Sequence, residues 1–342
     1  MRPDQNYPRR IMRIIPQLLA IILSVLGCRS TAIRSSLTVT FIDVGHGDCI
    51  LIQTPDDQND TNDIYQGLVI LIDGGEETTG KDVVVPFLKN LGIDTIDFII
   101  ATHAHSDHMA GLIPVIEAFP VKVITHPGYK RTTKFYQDFV TTAKQEPNCK
   151  YYEKLIPELI KNSGMAINWG RELEVTVLNS NPNVSEETVN NSSIVIKIAY
   201  GKVSLLLMAD AEGKDRKDPP TTIKYVEKEL IDKFGDKLKS TILKVGHHGS
   251  ETSSTIPFLQ RVKPSYAIIT AGNKKFGNRI LPDESVVSRL KQMGCQIFRT
   301  DFDDQTKDYK ATAGDDHIQA VLARDSIIKI DYLPRTFAIS KR

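Results

Sequence analysis

Three histidines and an aspartate lie within six residues of one another in the segment Ala101-Thr-His-Ala-His-Ser-Asp-His108. The segment follows an apolar, β-branched run that is typical of a buried strand. In an extended chain, residues two apart share a face, so His103 and His105 can bind one ion. Asp107 and His108, where the chain turns toward an apolar helix, can point at a second ion. Imidazole together with carboxylate suits zinc, manganese or iron.

Other polar side chains follow apolar runs that also have the pattern of buried strands. They are Asp73, Asp210, His247 and His248. A rigid sheet directs the side chains at its strand ends into one crevice, so we expect these residues to share a site with the histidine segment. Polar residues at strand ends are usually turn residues. Several strand ends with metal-ligand side chains favour a metal site instead.

The apolar pattern predicts strands that alternate with helices in both halves of the chain. Each half begins with a hairpin, one over residues 37–53 around Gly45-His-Gly-Asp48 and one over residues 194–208 around Gly201. Residues 129–164 lack strand signals and are predicted to form a helical insertion. We therefore predict an α/β fold, a four-layered αββα sandwich, in one domain over residues 37–332.

Composition sets limits on the possible partners of this chain. It has 342 residues and a net charge of +1, so the whole molecule has no global attraction to polyanions. A nucleic-acid substrate would therefore need a local basic patch. Besides Cys28, the cysteines are Cys49, Cys149 and Cys295, and their number and spacing predict neither a disulfide framework nor a Cys-x-x-Cys zinc pair. No protein partner is inferred.

The N-terminus has the pattern of an export signal. Four arginines precede an apolar run over residues 18–27 that ends in Val-Leu-Gly before Cys28. The run is short for a permanent membrane helix. We predict that residues 1–28 are a signal peptide with a lipobox, cleaved before a lipidated Cys28; a plain signal or an uncleaved anchor is the alternative. Each predicts an extracytoplasmic protein, and the lipobox predicts an exported, membrane-anchored lipoprotein.

The spacing His-x-His-x-Asp-His after a strand resembles the metallo-β-lactamase superfamily. Four further segments resemble, in the same order, the hydrolase domain of ComEC-type DNA-uptake proteins. They are Phe41-Ile-Asp-Val-Gly-His-Gly-Asp48, Asn190-Asn-Ser-Ser-Ile-Val-Ile196, Leu205-Leu-Leu-Met-Ala-Asp210 and Leu243-Lys-Val-Gly-His-His-Gly-Ser250. The likeness covers about residues 37–332. It concerns the hydrolase domain and not the membrane channel, so a transport role does not follow from it.

The resemblance implies a role for each candidate residue. The first ion would be bound by His103 and His105, the second by Asp107, His108 and His248, and Asp210 would bridge both. Asp107 would also orient the attacking water, and His247 would be an acid that faces the substrate. Asp73 would hold the histidine segment in shape.

The sequence departs from the superfamily pattern at three places. The usual third histidine of the first site is missing before the strand at Asn190. Its possible substitutes are Glu186, Glu187, Asn190, Asn191 and His126. His46 stands where the family usually has glutamine, and Asn278 stands where relatives commonly have histidine.

We therefore predict a metal-dependent hydrolase with two divalent ions, Zn or Mn, that activate a water molecule. A phosphodiester is the preferred substrate, either DNA or a cell-envelope polymer, with Ser250, Thr252 and Ser253 as donors to phosphate. A fold hosts many reactions, so alternatives remain. They are a β-lactam or other ester or amide hydrolase, a non-catalytic lipoprotein that binds metal or another ligand, and a periplasmic DNA-binding module.

Overall fold

The structure is a computed structural model, and it describes residues 36–55, 67–154, 160–161, 166–167, 169–170, 172–272, 274–302 and 313–334. The predicted signal peptide, residues 1–28, lies outside these ranges. Within them, no helix is both long and apolar enough to cross a membrane.

The strands, in chain order, are β1 (Leu37–Phe41), β2 (Ile50–Gln53), β3 (Val69–Ile72), β4 (Ile96–Ile100), β5 (Val121–Thr125), β6 (Lys150–Tyr152), β7 (Ile160–Lys161), β8 (Ala166–Ile167), β9 (Leu173–Asn179), β10 (Val195–Tyr200), β11 (Val203–Leu207), β12 (Ile242–Lys244), β13 (Tyr266–Ile269), β14 (Lys275–Phe276), β15 (Arg279–Ile280), β16 (Gln296–Arg299), β17 (Ile318–Ala323) and β18 (Ser326–Tyr332).

The α-helices are α1 (Glu77–Thr79), α2 (Val85–Asn90), α3 (Ser106–Met109), α4 (Leu112–Ala118), α5 (Lys134–Gln145), α6 (Tyr225–Phe234), α7 (Ile256–Val262) and α8 (Glu284–Gln292). A π-helical turn, Gly80–Val84, joins α1 to α2, and 3-10 turns form at Glu186–Ser192, Gly235–Leu238 and Gly246–Gly249.

The first sheet contains eight strands in the order β18-β17-β1-β2-β3-β4-β5-β6. β1 and β2 form the hairpin predicted around residues 45–48, with Phe41 opposite Ile50. From β3 to β6 the strands run parallel, so their carboxyl ends lie along the same edge. The C-terminal hairpin of β17 and β18 pairs with the free side of β1.

The second sheet also has eight strands, in the order β16-β13-β12-β11-β10-β9-β8-β7. β10 and β11 form the hairpin predicted around Gly201, with Tyr200 opposite Val203. β11, β12, β13 and β16 run parallel to one another, so this sheet too has an edge of carboxyl ends.

Alternating side chains on the strands separate the layers of the core. Leu205 and Leu207 pack between the two sheets together with Val39 of β1, whereas Leu206 faces the opposite way and packs with α6, α7 and α8. The outer face of the first sheet is covered by α2, α4 and α5. Each fully buried aliphatic side chain contributes about 1.5–3 kcal/mol. The predicted αββα sandwich is confirmed.

Among the described residues of the predicted helical insertion over 129–164, only α5 is helical. After α5 the chain forms β6, which pairs in parallel with β5 through Val123 and Lys150. Two adjacent tyrosines in β6 favour a strand, because aromatic side chains fit a half-buried sheet surface. Residues 155–159 and 162–165 lie outside the described part of the chain.

Candidate metal centre

The predicted site residues directly follow the carboxyl ends of parallel strands in both sheets. In the first sheet, β3 leads to Asp73 and its neighbour β4 leads to the histidine segment. In the second sheet, β11 leads to Asp210 and its neighbour β12 leads to His247 and His248. Ion-pair distances between the two groups, given below, show that both sets of strand ends meet at one site.

Asp73 holds the histidine segment in place from below, as the sequence predicts. Its carboxylate accepts hydrogen bonds from the backbone nitrogen and the hydroxyl of Thr102, both at 2.7 Å. The same carboxylate lies 2.8 Å from Nδ1 of His108. Asp73 is completely buried, so these three contacts fix the path of the chain between β4 and α3.

Glycines allow the loops that carry the site to touch backbone to backbone. A Cβ atom on Gly111 would lie 1.9 Å from the carbonyl oxygen of Gly74, and one on Gly47 would lie 2.2 Å from that of Asp107. The close approach lets Gly74 donate to the carbonyl of His108 at 2.8 Å. Only glycine permits this spacing, so these positions support the site without contributing a side chain.

We expect a Gly111→Ala substitution to lower the free energy of unfolding by about 1–3 kcal/mol, because the new methyl group has no room against Gly74. Gly111 has ordinary helical backbone angles, φ −68° and ψ −13°, so crowding alone would cause the loss. Urea denaturation measures it. Glu117→Ala, at an exposed position nearby, is the control and should change stability by less than about 0.5 kcal/mol. Equal stability of the two variants would contradict the prediction.

The residues predicted for the second ion lie at distances that suit a metal. Nε2 of His108 lies 3.2 Å from Nε2 of His248, and these two atoms lie 3.3 and 3.4 Å from Oδ1 of Asp210. Oδ2 of Asp107 lies 3.6 Å from Nε2 of His248. Four ligands placed tetrahedrally at about 2.0–2.2 Å from zinc lie roughly 3.3–3.6 Å from one another. The ligand atoms of His108, His248 and Asp210 therefore fit one ion, and Asp107 lies at ligand spacing from His248.

The residues predicted for the first ion lie on the other side of Asp210. Nε2 of His103 is 3.1 Å from Nδ1 of His105 and 3.7 Å from Oδ2 of Asp210. Asp210 thus turns one oxygen toward each group of histidines. This is the position that a bridging carboxylate needs.

Hydrogen bonds on the far side of the rings orient the second-site histidines. Nδ1 of His108 faces the carboxylate of Asp73, and Nδ1 of His248 lies 2.8 Å from the carbonyl oxygen of Thr270. Both partners accept hydrogen bonds only, so each Nδ1 carries a proton and Nε2 is the nitrogen that can offer a lone pair to a metal. That lone pair is directed at Oδ1 of Asp210, a buried oxygen that accepts no hydrogen bond from the described residues. A cation between them would relieve the repulsion.

The charge states of the side chains also suit a cation. Burial alone would raise the pKa of Asp107, but the hydrogen bond from His46 and the charges of His108 and His248 hold it well below its usual range. Burial lowers the pKa of His103 well below its usual range and that of His105 to about 4. The carboxylate of Asp107 is therefore ionised and the imidazoles of His103 and His105 are neutral, and the buried carboxylates of Asp210 and Asp73 raise the pKa of His108 well above its usual range despite its burial. Ionised carboxylates and imidazoles together are the donor set of a divalent metal.

A buried ion pair beneath the site was not predicted from the sequence. Nζ of Lys244 lies 2.5 Å from Oδ2 of Asp48, and both side chains are at most 1% exposed. Oδ1 of Asp48 accepts a hydrogen bond from the hydroxyl of Thr270. The only sequence signal was a lysine inside the otherwise apolar run Ile242-Leu-Lys-Val245. Such a lysine in a buried strand needs a charged partner.

Most of the proposed substitutes for the missing third histidine are occupied elsewhere. Both ring nitrogens of His126 have partners, Tyr151 and the backbone of Gly128. The carboxylate of Glu186 contacts Arg131 and Tyr129.

The remaining candidates differ in how close they come to the site. Glu187 is exposed, and Oδ1 of Asn191 accepts a hydrogen bond from the backbone of Glu212. Asn278, a separate departure from the family pattern, is exposed as well. Nδ2 of Asn190 lies 3.4 Å from His247 and 3.4 Å from Glu212, so Asn190 borders the site.

An open cleft of about 320 Å³ leads to the predicted metal residues. Its lining consists of His46, His105, Ser106, Asp107, Arg131, Phe135, Asp210, His247, His248 and Lys274. His46 contacts Asp107 at 3.3 Å and its ring centre lies 4.4 Å from that of His248, so it lies next to the site. The cleft is large enough for a small substrate group.

A family model described as the metallo-beta-lactamase superfamily matches residues 42–272, which include every strand end that supplies the site. The chain belongs to the metallo-β-lactamase superfamily. The superfamily indicates a metallo-hydrolase, and its fold typically binds divalent metals. Three clusters among the described residues could hold such an ion, namely His46, Asp107 and His248; His103, His108 and Asp210; and Asp48, Asp73 and His108. The resemblance and the fold predicted from the sequence are confirmed.

Curated relatives within this superfamily include competence proteins. The chain is 28% identical over 283 residues to ComE operon protein 3 of Bacillus subtilis, covering 77% of the chain and 32% of the relative. It is 26% identical over 269 residues to Competence protein ComA of Neisseria gonorrhoeae, covering 78% of the chain and 31% of the relative. The predicted likeness to ComEC-type proteins is confirmed. The chain spans about a third of the length of these relatives.

Among solved structures, the chain is similar to a long form RNase Z from yeast, with 13% identity, a TM-score of 0.42 and coverage of 89% of this chain and 42% of that one. It is also similar to a metallo-β-lactamase from Hirschia baltica, with 15% identity, a TM-score of 0.34 and coverage of 67% and 92%.

Proposed function

We propose that this superfamily hydrolase cleaves phosphodiesters with a water molecule activated by two divalent ions, Zn or Mn. The observation that carries the proposal is Asp210, whose two oxygens face two separate groups of histidines. Two ions bound there would lower the pKa of a water molecule to near neutrality and would offset charge on a phosphoryl oxygen.

The protein side chains would position the reactants. Asp107 lies at the cleft with an ionised carboxylate, so it can accept a hydrogen bond from the attacking water and orient it. His46 donates to the same carboxylate and keeps it in place. The side chains of His105, Asp210 and His248 line the same cleft.

Positive side chains at the cleft support an anionic substrate. Arg131 and Lys274 both line it, although the net charge of the chain is only +1. The predicted phosphate donors Ser250, Thr252 and Ser253 are instead hydrogen-bonded within the protein. The hydroxyl of Ser250 accepts from Arg216, that of Thr252 contacts His247, and that of Ser253 donates to the carbonyl of Gly246. We therefore assign recognition of the phosphate group to Arg131 and Lys274 rather than to these hydroxyl groups.

We further propose that the protein acts outside the cytoplasm as a lipoprotein anchored to the membrane through Cys28. The arginines and the apolar run of residues 1–28 support this location. DNA is one candidate substrate, because one of the relatives is named as a competence protein, and a cell-envelope phosphodiester polymer is the other.

Turnover of bis(4-nitrophenyl) phosphate and of DNA, measured with Mn and Zn supplied separately, tests the proposal. We expect the wild type to cleave a phosphodiester and the Asp107→Ala and His103→Ala variants to be inactive. Equal rates in all three would contradict the mechanism. Turnover of nitrocefin without phosphodiester cleavage would favour β-lactam hydrolysis. Salt-dependent DNA binding without cleavage would favour a DNA-binding module. Bound metal without turnover of any substrate would favour a non-catalytic lipoprotein that binds metal.

A further inference from the structure

We infer that His247 is the missing third histidine of the first metal site, rather than an acid that faces the substrate. The inference rests on the proposed two-metal function. Nε2 of His247 lies 4.0 Å from Oδ2 of Asp210, and Nε2 of His103 lies 3.7 Å from the same oxygen. Tetrahedral ligands at about 2.0–2.2 Å from an ion lie roughly 3.3–3.6 Å from one another. Nε2 of His103 is close to that spacing from Oδ2 of Asp210, and Nε2 of His247 is the next histidine nitrogen to this oxygen, slightly beyond that spacing.

Hydrogen bonds at the far side of the His247 ring direct Nε2 into the site. Nδ1 lies 3.2 Å from Oε1 of Glu212 and 2.9 Å from the hydroxyl of Thr252. A carboxylate only accepts hydrogen bonds, so Nδ1 carries the proton and the lone pair is on Nε2. A carboxylate behind a ligating imidazole is the common way in which proteins orient metal-bound histidines.

His247 repeats the geometry of the two second-site histidines. His108 and His248 also have an acceptor at Nδ1 and turn Nε2 toward Asp210. The difference is the oxygen that each faces, since His248 faces Oδ1 and His247 faces Oδ2. Adjacent residues therefore reach opposite sides of one bridging carboxylate.

The backbone explains how neighbours can do this. His247 and His248 both have left-handed angles, with φ of 47° and 52°. Such angles are unfavourable for a residue with a side chain and are kept where the site requires them. The backbone nitrogen of His247 donates to the carbonyl of Ala209 at 2.9 Å, which ties this turn to the strand end that carries Asp210.

Asn190 is less suited to the same role. Its Nδ2 lies 3.4 Å from both Oε1 of Glu212 and Nε2 of His247. Because Glu212 can only accept, the amide must turn its nitrogen, not its oxygen, to this side. Asn190 thus turns its nitrogen, and not a ligand oxygen, toward this side of the site.

The two roles for His247 exclude each other, because an imidazole nitrogen that binds a metal cannot donate a proton from the same atom. Metal content therefore distinguishes them. We would remove metal from the full chain and titrate it with Zn²⁺ against a chromophoric chelator. The variants are His247→Gly, in which glycine accepts the left-handed backbone, His247→Ala, Glu212→Gln, and the controls Asn190→Ala and His126→Ala.

We expect the wild type to bind two zinc ions. Glu212→Gln should lower the zinc affinity of the first site by roughly 10- to 100-fold, as expected when the hydrogen-bond partner of a metal ligand is lost. His247→Gly and His247→Ala should lower it by more than that. The second site should keep its affinity in every variant, and both controls should bind two ions. A native circular dichroism spectrum of the metal-free variants shows that they fold.

Two tightly bound ions in both His247 variants would overturn the inference and restore the acid role. Loss of the first ion in Asn190→Ala, with the His247 variants unaffected, would also overturn it. Fewer than two ions on the wild type would remove the proposed two-metal function and this inference together. The wild-type titration therefore tells the two failures apart.

Discussion

The Asp210→Asn variant is expected to lose phosphodiester hydrolysis by at least about 10³-fold, equivalent to ~4 kcal/mol of transition-state stabilisation. Asp210 is buried. One of its carboxylate oxygens faces His103, and the other faces His108 and His248. Asparagine keeps the shape but replaces one oxygen with an amide nitrogen and removes the negative charge. It can therefore no longer bridge two cations.

The turnover number for bis(4-nitrophenyl) phosphate and the zinc content of the purified variant measure this effect. Asp232→Asn is the matched control, because Asp232 is exposed on α6 and pairs only with Lys228 of the same helix in the described contacts. Its turnover should equal that of the wild type. An Asp210→Asn variant with two bound ions and more than a tenth of the wild-type rate would contradict a bridging role.

The Lys244→Met variant is expected to lose about 3–5 kcal/mol of unfolding free energy in the metal-free state. Lys244 and Asp48 form an ion pair that excludes water, so removal of the lysine leaves a buried carboxylate without its counter-charge. In the double variant Lys244→Met/Asp48→Asn that charge is absent, and we expect part of the lost unfolding free energy to be recovered. Urea denaturation in the presence of a chelator measures the unfolding free energy of the wild type, the single variant and the double variant.

Lys122→Met is the matched control for this experiment. Lys122 also pairs with an aspartate, Asp97, but its side chain is 66% exposed. Exposed pairs contribute about 0–1 kcal/mol, so this variant should remain close to the wild type. If Lys244→Met lost no more than Lys122→Met, the pair beneath the site would have no structural role.

The sequence predicted the site well where the chemistry is local. His103, His105, Asp107 and His108 lie together because a strand end and the turn after it set their spacing. Asp210 and His248 were also predicted, because each follows an apolar run and the ends of parallel strands meet. Their roles as metal ligands remain predictions that the experiments above test.

The sequence did not predict what depends on pairing between distant elements. The partner of Lys244 is Asp48, almost two hundred residues away, and no local pattern connects the two. Likewise, the sequence pointed to the segment before β10 and to His126 for the third ligand of the first ion, whereas His247 comes close to Asp210 because β11 and β12 are adjacent. Side-chain tautomers, which decide the direction of a lone pair, depend on such tertiary contacts.

The position of the C-terminal hairpin has a consequence for how the protein folds. β1 is paired on one side by β17, with Leu37 opposite Leu322, so the first sheet is completed by almost the last described residues of the chain. During synthesis, the outer edge of β1 stays unpaired until that hairpin has been made. Contacts between such distant residues slow folding, and an exposed strand edge favours aggregation. We therefore expect refolding to be slow and truncation before β17 to yield insoluble protein.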